Sequence, residues 1–199
     1  MKALNAHVSW RSPVLIALGS NMPGPTGSSR ETVAAAVRAL RGAGIEIYRV
    51  SPSFRSAPVP PSPQAFFVNA AVCARTALGP ERLLAQLHAV ERLFGRVRRR
   101  PNAPRTLDLD LLVYGNEVSG AADHDTVILP HPRAHLRAFV LQPLRLIAPA
   151  WRHPVLGSTP DQLLRRLPPR AVRRPALLID RPLRAPVRRL KKNVRPKKP

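Results

Sequence analysis

A second cysteine is the first thing this chain lacks: Cys73 stands alone among 199 residues, which excludes an intrachain disulfide and suits a reducing compartment. Long apolar runs are missing as well. None approaches the ~18 residues of a membrane helix, and Asn5, His7, Ser9 and Arg11 interrupt the start where a secretion signal would be apolar. These absences predict a soluble, cytoplasmic protein. Aromatic residues make up only 5%, and none follows Trp151 to stack on nucleic-acid bases. Gly-x-x-x-x-Gly-Lys, Gly-x-Gly-x-x-Gly and zinc-spaced Cys/His sets do not occur, which excludes the common nucleotide and metal fingerprints. Acidic residues are few, 11 against 33 Lys and Arg, for a formal net charge of +22.

That charge divides the chain. From residue 161 onward fourteen cations face only Asp161 and Asp180; only Leu163-Leu164 and Ala176-Leu177-Leu178-Ile179 could contribute to a core, and prolines interrupt the rest. Such a polymer cannot offset an ordering entropy of roughly 1–2 kcal/mol per residue. Residues 161–199 therefore read as a basic, Pro-rich, mostly disordered tail. It is expected to bind polyanions weakly and unspecifically, and deletion of 168–199 is expected to leave the rest unaffected. Residues 1–12 read as a frayed N-terminus, and 13–160 as one domain of ordinary size, expected to be monomeric.

Within that domain, 14–18 is a continuous apolar run suited to a buried central strand. Ser28 and Glu31 form a capping box ahead of a helix burying Val33, Ala36, Val37 and Leu40. Residues 45–55 and 66–74 read as strands, separated by a loop that Pro58, Pro60, Pro61 and Pro63 keep extended. Pro80 opens a second helix with an apolar face at Leu83, Leu84, Leu87, Val90 and Phe94, ended by Gly95. Residues 107–114 read as a strand, 127–129 as a short strand, and 139–147 as a short helix with Pro143 near its start. The order strand, helix, strand, strand, helix, strand predicts a ferredoxin-like α+β sandwich, with a mainly antiparallel sheet and helices packed on it.

The most informative stretch is 96–115, where an arginine cluster runs into Leu107-Asp108-Leu109-Asp110-Leu111. Side chains two apart on a strand share a face, so Asp108 and Asp110 stand together while Leu107, Leu109 and Leu111 take the other face. Adjacent carboxylates repel unless a cation neutralises them, and an oxygen-only ligand set favours magnesium. Arginines beside a carboxylate-held magnesium suit a polyphosphate. Taken alone, the pattern reads equally as a half-buried strand with two Asp on its polar face, behind a solvated basic loop.

Four ordered segments resolve the choice. They are Ala17-Leu18-Gly19-Ser20-Asn21; Ser51 to Val59 with Phe67-x-Asn69-Ala70; Glu91-x-x-x-Gly95-Arg96-x-Arg98 through Pro104-Arg105-Thr106-Leu107-Asp108-Leu109-Asp110; and Leu129-Pro130-His131-Pro132-Arg133 with Arg137-x-Phe139-Val140-Leu141-x-Pro143-Leu144 and Ala148-Pro149. Across 13–150 the chain resembles the 6-hydroxymethyl-7,8-dihydropterin pyrophosphokinase family of folate biosynthesis. The resemblance implies diphosphate transfer from ATP to a pterin alcohol, with AMP as the other product. It implies that Asp108 and Asp110 bind two magnesium ions, and that Arg96, Arg98 and Arg105 contact phosphates or order the catalytic loop. It places Glu91, Arg98, Arg105, His131 and Arg137 at the nucleotide. Phe67 and Phe139 would sandwich the pterin, with Asn69, Ser56, Ala57 and Val59 reading its edge. Glu91 is as well placed to hold Arg96 or Arg98. The chain departs from the family pattern at Pro101 and Asn102, where relatives often carry Arg and Trp, and Arg99 or Arg100 would then replace the lost charge. Ala57 and Pro60 replace a frequent Pro and Gly. A basic nucleic-acid-binding protein and an inactive scaffold relative are the rival readings.

Overall fold

A computed structural model of the chain describes residues 14–97, 103–120, 127–168 and 177–178. Its centre is β1 (Val14–Ser20), flanked antiparallel by β4 (Phe67–Arg75) and β5 (Asp108–Tyr114). Two short strands, β2 (Glu46–Val50) and β3 (Phe54–Ser56), follow each other along the far side of β4, and β6 (Leu177–Leu178) pairs with β3. All of these pairings are antiparallel. With β2 and β3 counted as one broken strand, the order is that of the ferredoxin-like sandwich.

The two faces of β1 explain the layers. Val14, Ile16 and Leu18 point to one side and are at most 2% exposed. There they meet Val33, Ala36, Val37 and Leu40 of α1 (Ser29–Gly42), and Leu83, Leu87 and Val90 of α2 (Pro80–Leu93). Each Val, Leu or Ile side chain withdrawn from water contributes about 1.5–3 kcal/mol. Leu15 points the other way and packs with Cys73, Val113, Val140, Leu144 and Ile147, the last three from α3 (Ala138–Ile147). Along this second face β1 shrinks from Leu15 to Ala17 to Gly19, and the sheet is left open beyond the part that α3 covers.

Several local expectations hold. Ser28 and Glu31 form the capping box of α1, Pro80 sits in the first turn of α2, and Gly95 takes a left-handed φ of 75° just past the end of α2. Leu107, Leu109 and Leu111 all join the core under α1 and α2, opposite in phase to the two aspartates. Others change. The single strand expected over 45–55 breaks at Pro52, which has no N–H for the ladder. Ser51 bridges the gap, its N–H donating to the Ala71 carbonyl and its hydroxyl accepting from the Ala71 N–H, both at 2.9 Å. Residues 127–129 form no strand; the Ser119 hydroxyl receives the Leu129 N–H instead. Pro143 lies in the sixth position of α3, not near its start, where it removes one i→i−4 bond.

The folded part also continues past residue 160, into the stretch assigned by composition to the tail. α4 (Pro160–Arg166) has a capping box of Thr159 and Gln162, and with Leu163, Leu164 and Leu167 it packs on Ala138 and Leu141. A leucine triplet over two helical turns was enough to bury, despite the surrounding charge. β6 then joins the sheet. The readings of the N-terminus and of the other tail residues beyond 168 fall outside the described residues. No described helix is long and apolar enough to cross a membrane.

Candidate active site

Strand register assembles the site on the open face of the sheet. Gly19 stands opposite Asn69 on one side and Asp108 on the other, and Ala17 opposite Ala71 and Asp110. Three strands thus place an amide and two carboxylates around a floor of small residues. A Cβ at Gly19 would come within 3.5 Å of the Asn69 Oδ1 and 3.8 Å of the Asp108 Cβ. β5 carries a bulge at this point: Leu15 pairs with Val113 but Ile16 with Leu111, so Leu112 is the extra residue. Both Leu112 and Val113 consequently face α3 while Asp108 and Asp110 keep their own phase.

The two carboxylates have different surroundings. Asp108 accepts from Arg96 Nη1 through Oδ1 and from Arg105 Nη1 through Oδ2, the latter at 2.7 Å. Burial pushes its carboxyl up, but the Arg105 and Arg96 guanidiniums outweigh burial and hold it below the usual carboxylate range. Asp110 has looser partners, Arg137 Nη1 at 3.5 Å and His131 Nε2 at 4.0 Å. Burial and the charge on Asp108 push its carboxyl up. The pair therefore holds one compensated and one poorly compensated negative charge, an arrangement that an added cation would relieve.

Glu91 sets the geometry behind them. It is 2% exposed, and its Oε1 accepts from Arg96 Nη1 and from the Leu109 N–H, both at 2.8 Å. The second bond satisfies an outward donor of β5, which is an edge strand of the sheet. Glu91 therefore anchors Arg96 to the strand that bears the aspartates.

The aromatic part lies alongside. Phe67 and Phe139 are both half-buried, and each has a guanidinium near its face: Arg105 Cζ is 5.7 Å from the Phe67 centroid and Arg137 Cζ 5.6 Å from that of Phe139. Arg105 thus links Phe67 to Asp108, and Arg137 links Phe139 to Asp110. Asn69 is 5% exposed and donates from Nδ2 to the Ser56 hydroxyl at 2.9 Å, which accounts for one of its amide donors.

All these side chains border one cavity of about 580 Å³, a size suited to small-molecule ligands. Of the residues expected in the site, Ser56, Ala57, Val59, Phe67, Asn69, Glu91, Arg96, Arg105, Asp108, Asp110, His131, Arg137 and Phe139 all line it. Arg98, with Arg99, Arg100 and Pro101, lies outside the described residues. His88 and Arg133 line the cavity too and were not singled out from the sequence. His88 was findable, since it precedes Glu91 by three residues and so shares its helix face. Asn21 was also overlooked as a site residue. Buried at 4%, it accepts the Arg105 N–H at 2.8 Å and donates to Gln64 Oε1 at 3.0 Å, joining the loops on both sides of the cavity. Its signals were a polar residue directly after a buried strand and its place at the end of the 17–21 segment that carries the family resemblance.

The family model described as 7,8-dihydro-6-hydroxymethylpterin-pyrophosphokinase (HPPK) matches residues 15–149. A 2-amino-4-hydroxy-6-hydroxymethyldihydropteridine pyrophosphokinase of Synechocystis is 42% identical over 125 residues, covering 63% of this chain and 62% of the relative, which is less than two thirds of its length. The protein of the same name from Pseudomonas aeruginosa is 39% identical over 163 residues, covering 78% of this chain and 96% of the relative. Among solved structures, a Plasmodium falciparum HPPK-DHPS triple mutant superposes with a TM-score of 0.60 at 12% identity, covering 76% of this chain and 42% of that one, a likeness of fold.

Proposed function

Since the chain belongs to the 7,8-dihydro-6-hydroxymethylpterin-pyrophosphokinase family, we propose that it transfers diphosphate from ATP to the hydroxymethyl oxygen of 6-hydroxymethyl-7,8-dihydropterin, giving AMP and the pterin diphosphate. One observation carries this reading. A carboxylate pair ringed by guanidiniums shares a single cavity with two aromatic rings and a buried amide, so a polyphosphate and a flat heterocycle can meet there.

Asp108 and Asp110 would hold magnesium, two ions in the proposed complex. The donor set fits. The described residues contain no group of three or more His, Cys, Asp or Glu able to hold a metal ion, and magnesium bound by one or two carboxylates takes its other ligands from water and substrate phosphates. Bound there, the metal would neutralise charge developing on the transferred diphosphate.

The chain's own residues do the rest. Arg96, fixed by Glu91, and Arg105 would direct their donors to phosphate oxygens beside Asp108. His131 and Arg137 bind the nucleotide. Phe67 and Phe139 hold the pterin between their faces, a contact worth ~0.5–1.5 kcal/mol per ring beyond burial. Asn69, with the backbone at Ser56, Ala57 and Val59, reads the amide-like edge and turns the hydroxymethyl oxygen toward the β-phosphorus. The new oxygen–phosphorus bond forms as the bond to the α-phosphate oxygen breaks and AMP leaves with that electron pair; the alcohol proton is released. Positioning and charge supply most of the acceleration. Incubation with ATP, magnesium and the pterin alcohol is expected to yield AMP. Formation of ADP instead, or of no nucleotide product, would refute the assignment.

A further inference from the structure

β6 lies in the 176–179 run, one of two apolar stretches past residue 160 within an otherwise charged, Pro-broken segment, and it pairs with β3, Phe54 opposite Leu178 and Arg55 opposite Leu177. β3 is three residues long, and β6 covers the side that would otherwise be a sheet edge. It is also the backbone that leads into the cavity, whose wall includes Ser56, Ala57 and Val59. Across the ladder, Phe54 stands opposite Asn69 and Ser56 opposite Phe67. The buried Ser56 hydroxyl accepts the Asn69 amide. A three-residue edge strand held from one side frays at little free-energy cost. With β6 in place, Phe54 and Arg55 are paired on both sides.

We propose that β6 is a positioning element for the heterocyclic substrate: by making β3 an interior strand, it holds Ser56 and the Asn69 amide in register before the ligand arrives. The inference rests on the pterin reading above. Ordering completed during folding is not charged against binding, so loss of β6 weakens affinity without removing a contact to ligand. The effect is selective. The nucleotide half of the site stands on β5 and the 131–137 segment, and β5 and β6 are opposite ends of the strand order.

The test uses the full chain with Leu177→Pro and Leu178→Pro together. Successive N–H groups of a strand point to opposite sides, so one of the two prolines must delete a donor aimed at β3. Leu177→Val with Leu178→Val keeps both donors and strand propensity, and serves as the rescue. With AMP release followed while each substrate is varied, the proline pair and a chain ending at Pro168 are expected to show a roughly tenfold higher pterin KM. ATP KM and kcat should stay within about twofold, and the valine pair should match the parent. An unchanged pterin KM, or an equal rise in both KM values, would overturn the inference. Absence of AMP formation by the parent chain would instead refute the functional reading. Amide exchange needs no turnover: it should quicken at Phe54–Ser56 in the proline pair while β1 keeps its protection. Unaltered exchange at β3 would overturn the support role.

Discussion

Asp108→Asn and Asp110→Asn should be equally fatal to turnover and unequal in stability. Both remove a charge from the proposed magnesium site, so each is expected to abolish metal-dependent AMP formation. Their effects on the metal-free fold differ because their partners differ. Both oxygens of Asp108 accept from guanidinium donors, Arg96 at one and Arg105 at the other. Asparagine offers a single oxygen, and its NH2 would face a guanidinium donor to donor. Losing one charge-assisted bond in this partly buried setting costs roughly 1.5–3 kcal/mol. The sign follows from the lowered carboxyl. Its contribution is fully present above the unfolded pKa and is lost as pH falls through the folded one, so neutral pH reports all of it. Asp110 has partners only at 3.5 and 4.0 Å, and its carboxyl is raised, so its ionised form is a net burden on the fold. Asp110→Asn is therefore expected to be neutral or slightly stabilising, within about 1 kcal/mol. In a domain of this size, ~1 kcal/mol moves Tm by about 2–4 °C. Calorimetry at about pH 7 with chelator should show Asp108→Asn melting roughly 3–12 °C lower and Asp110→Asn close to the parent. Equal losses, a larger loss for Asp110→Asn, or turnover retained by either variant at saturating magnesium would refute the reasoning.

Three further outcomes are expected. Phe67→Ala and Phe139→Ala should weaken pterin binding far more than ATP binding; both rings are only half-buried, so the stability loss should stay below the ~3–5 kcal/mol of a fully buried ring, and titration calorimetry with each ligand distinguishes the two roles. Glu91→Ala strands the buried Leu109 N–H and removes one of the acceptors that hold Arg96, leaving it the Leu107 carbonyl and Asp108, so it should cost about 2–4 kcal/mol in denaturant unfolding and lower kcat, whereas a surface-like loss under ~0.5 kcal/mol would count against the anchor. Magnesium binding must expel any proton on Asp110, whose carboxyl is raised by burial and by Asp108; affinity should be full above that raised pKa and fall as pH drops through it, and a dissociation constant that stays flat from about pH 7 to about pH 4 would refute the link.

Much of the site was legible in order along the chain. Strand alternation alone puts Asp108 and Asp110 on one face with Leu109 and Leu111 on the other, and capping chemistry alone starts α1 at Ser28. These depend on the few residues that define a turn or a pleat. What could not be read is whatever depends on distant partners. Pro52 splits a strand because Ser51 can take over the bonds to Ala71, and residues 127–129 stay out of the sheet although their apolar pattern suits a strand. Composition marked Leu163-Leu164 and 176–179 as the only core candidates past residue 160 without showing that they order, since the energy that orders α4 and β6 comes from Ala138, Leu141 and the free side of β3, none of it local. The two aspartates make the sharpest case. In sequence they are equivalent members of an alternating run, and only the tertiary arrangement lowers one carboxyl and raises the other. Coulombic energy depends on distance through space, and Arg96, Arg105, Arg137 and His131 reach that face from separate segments of the chain.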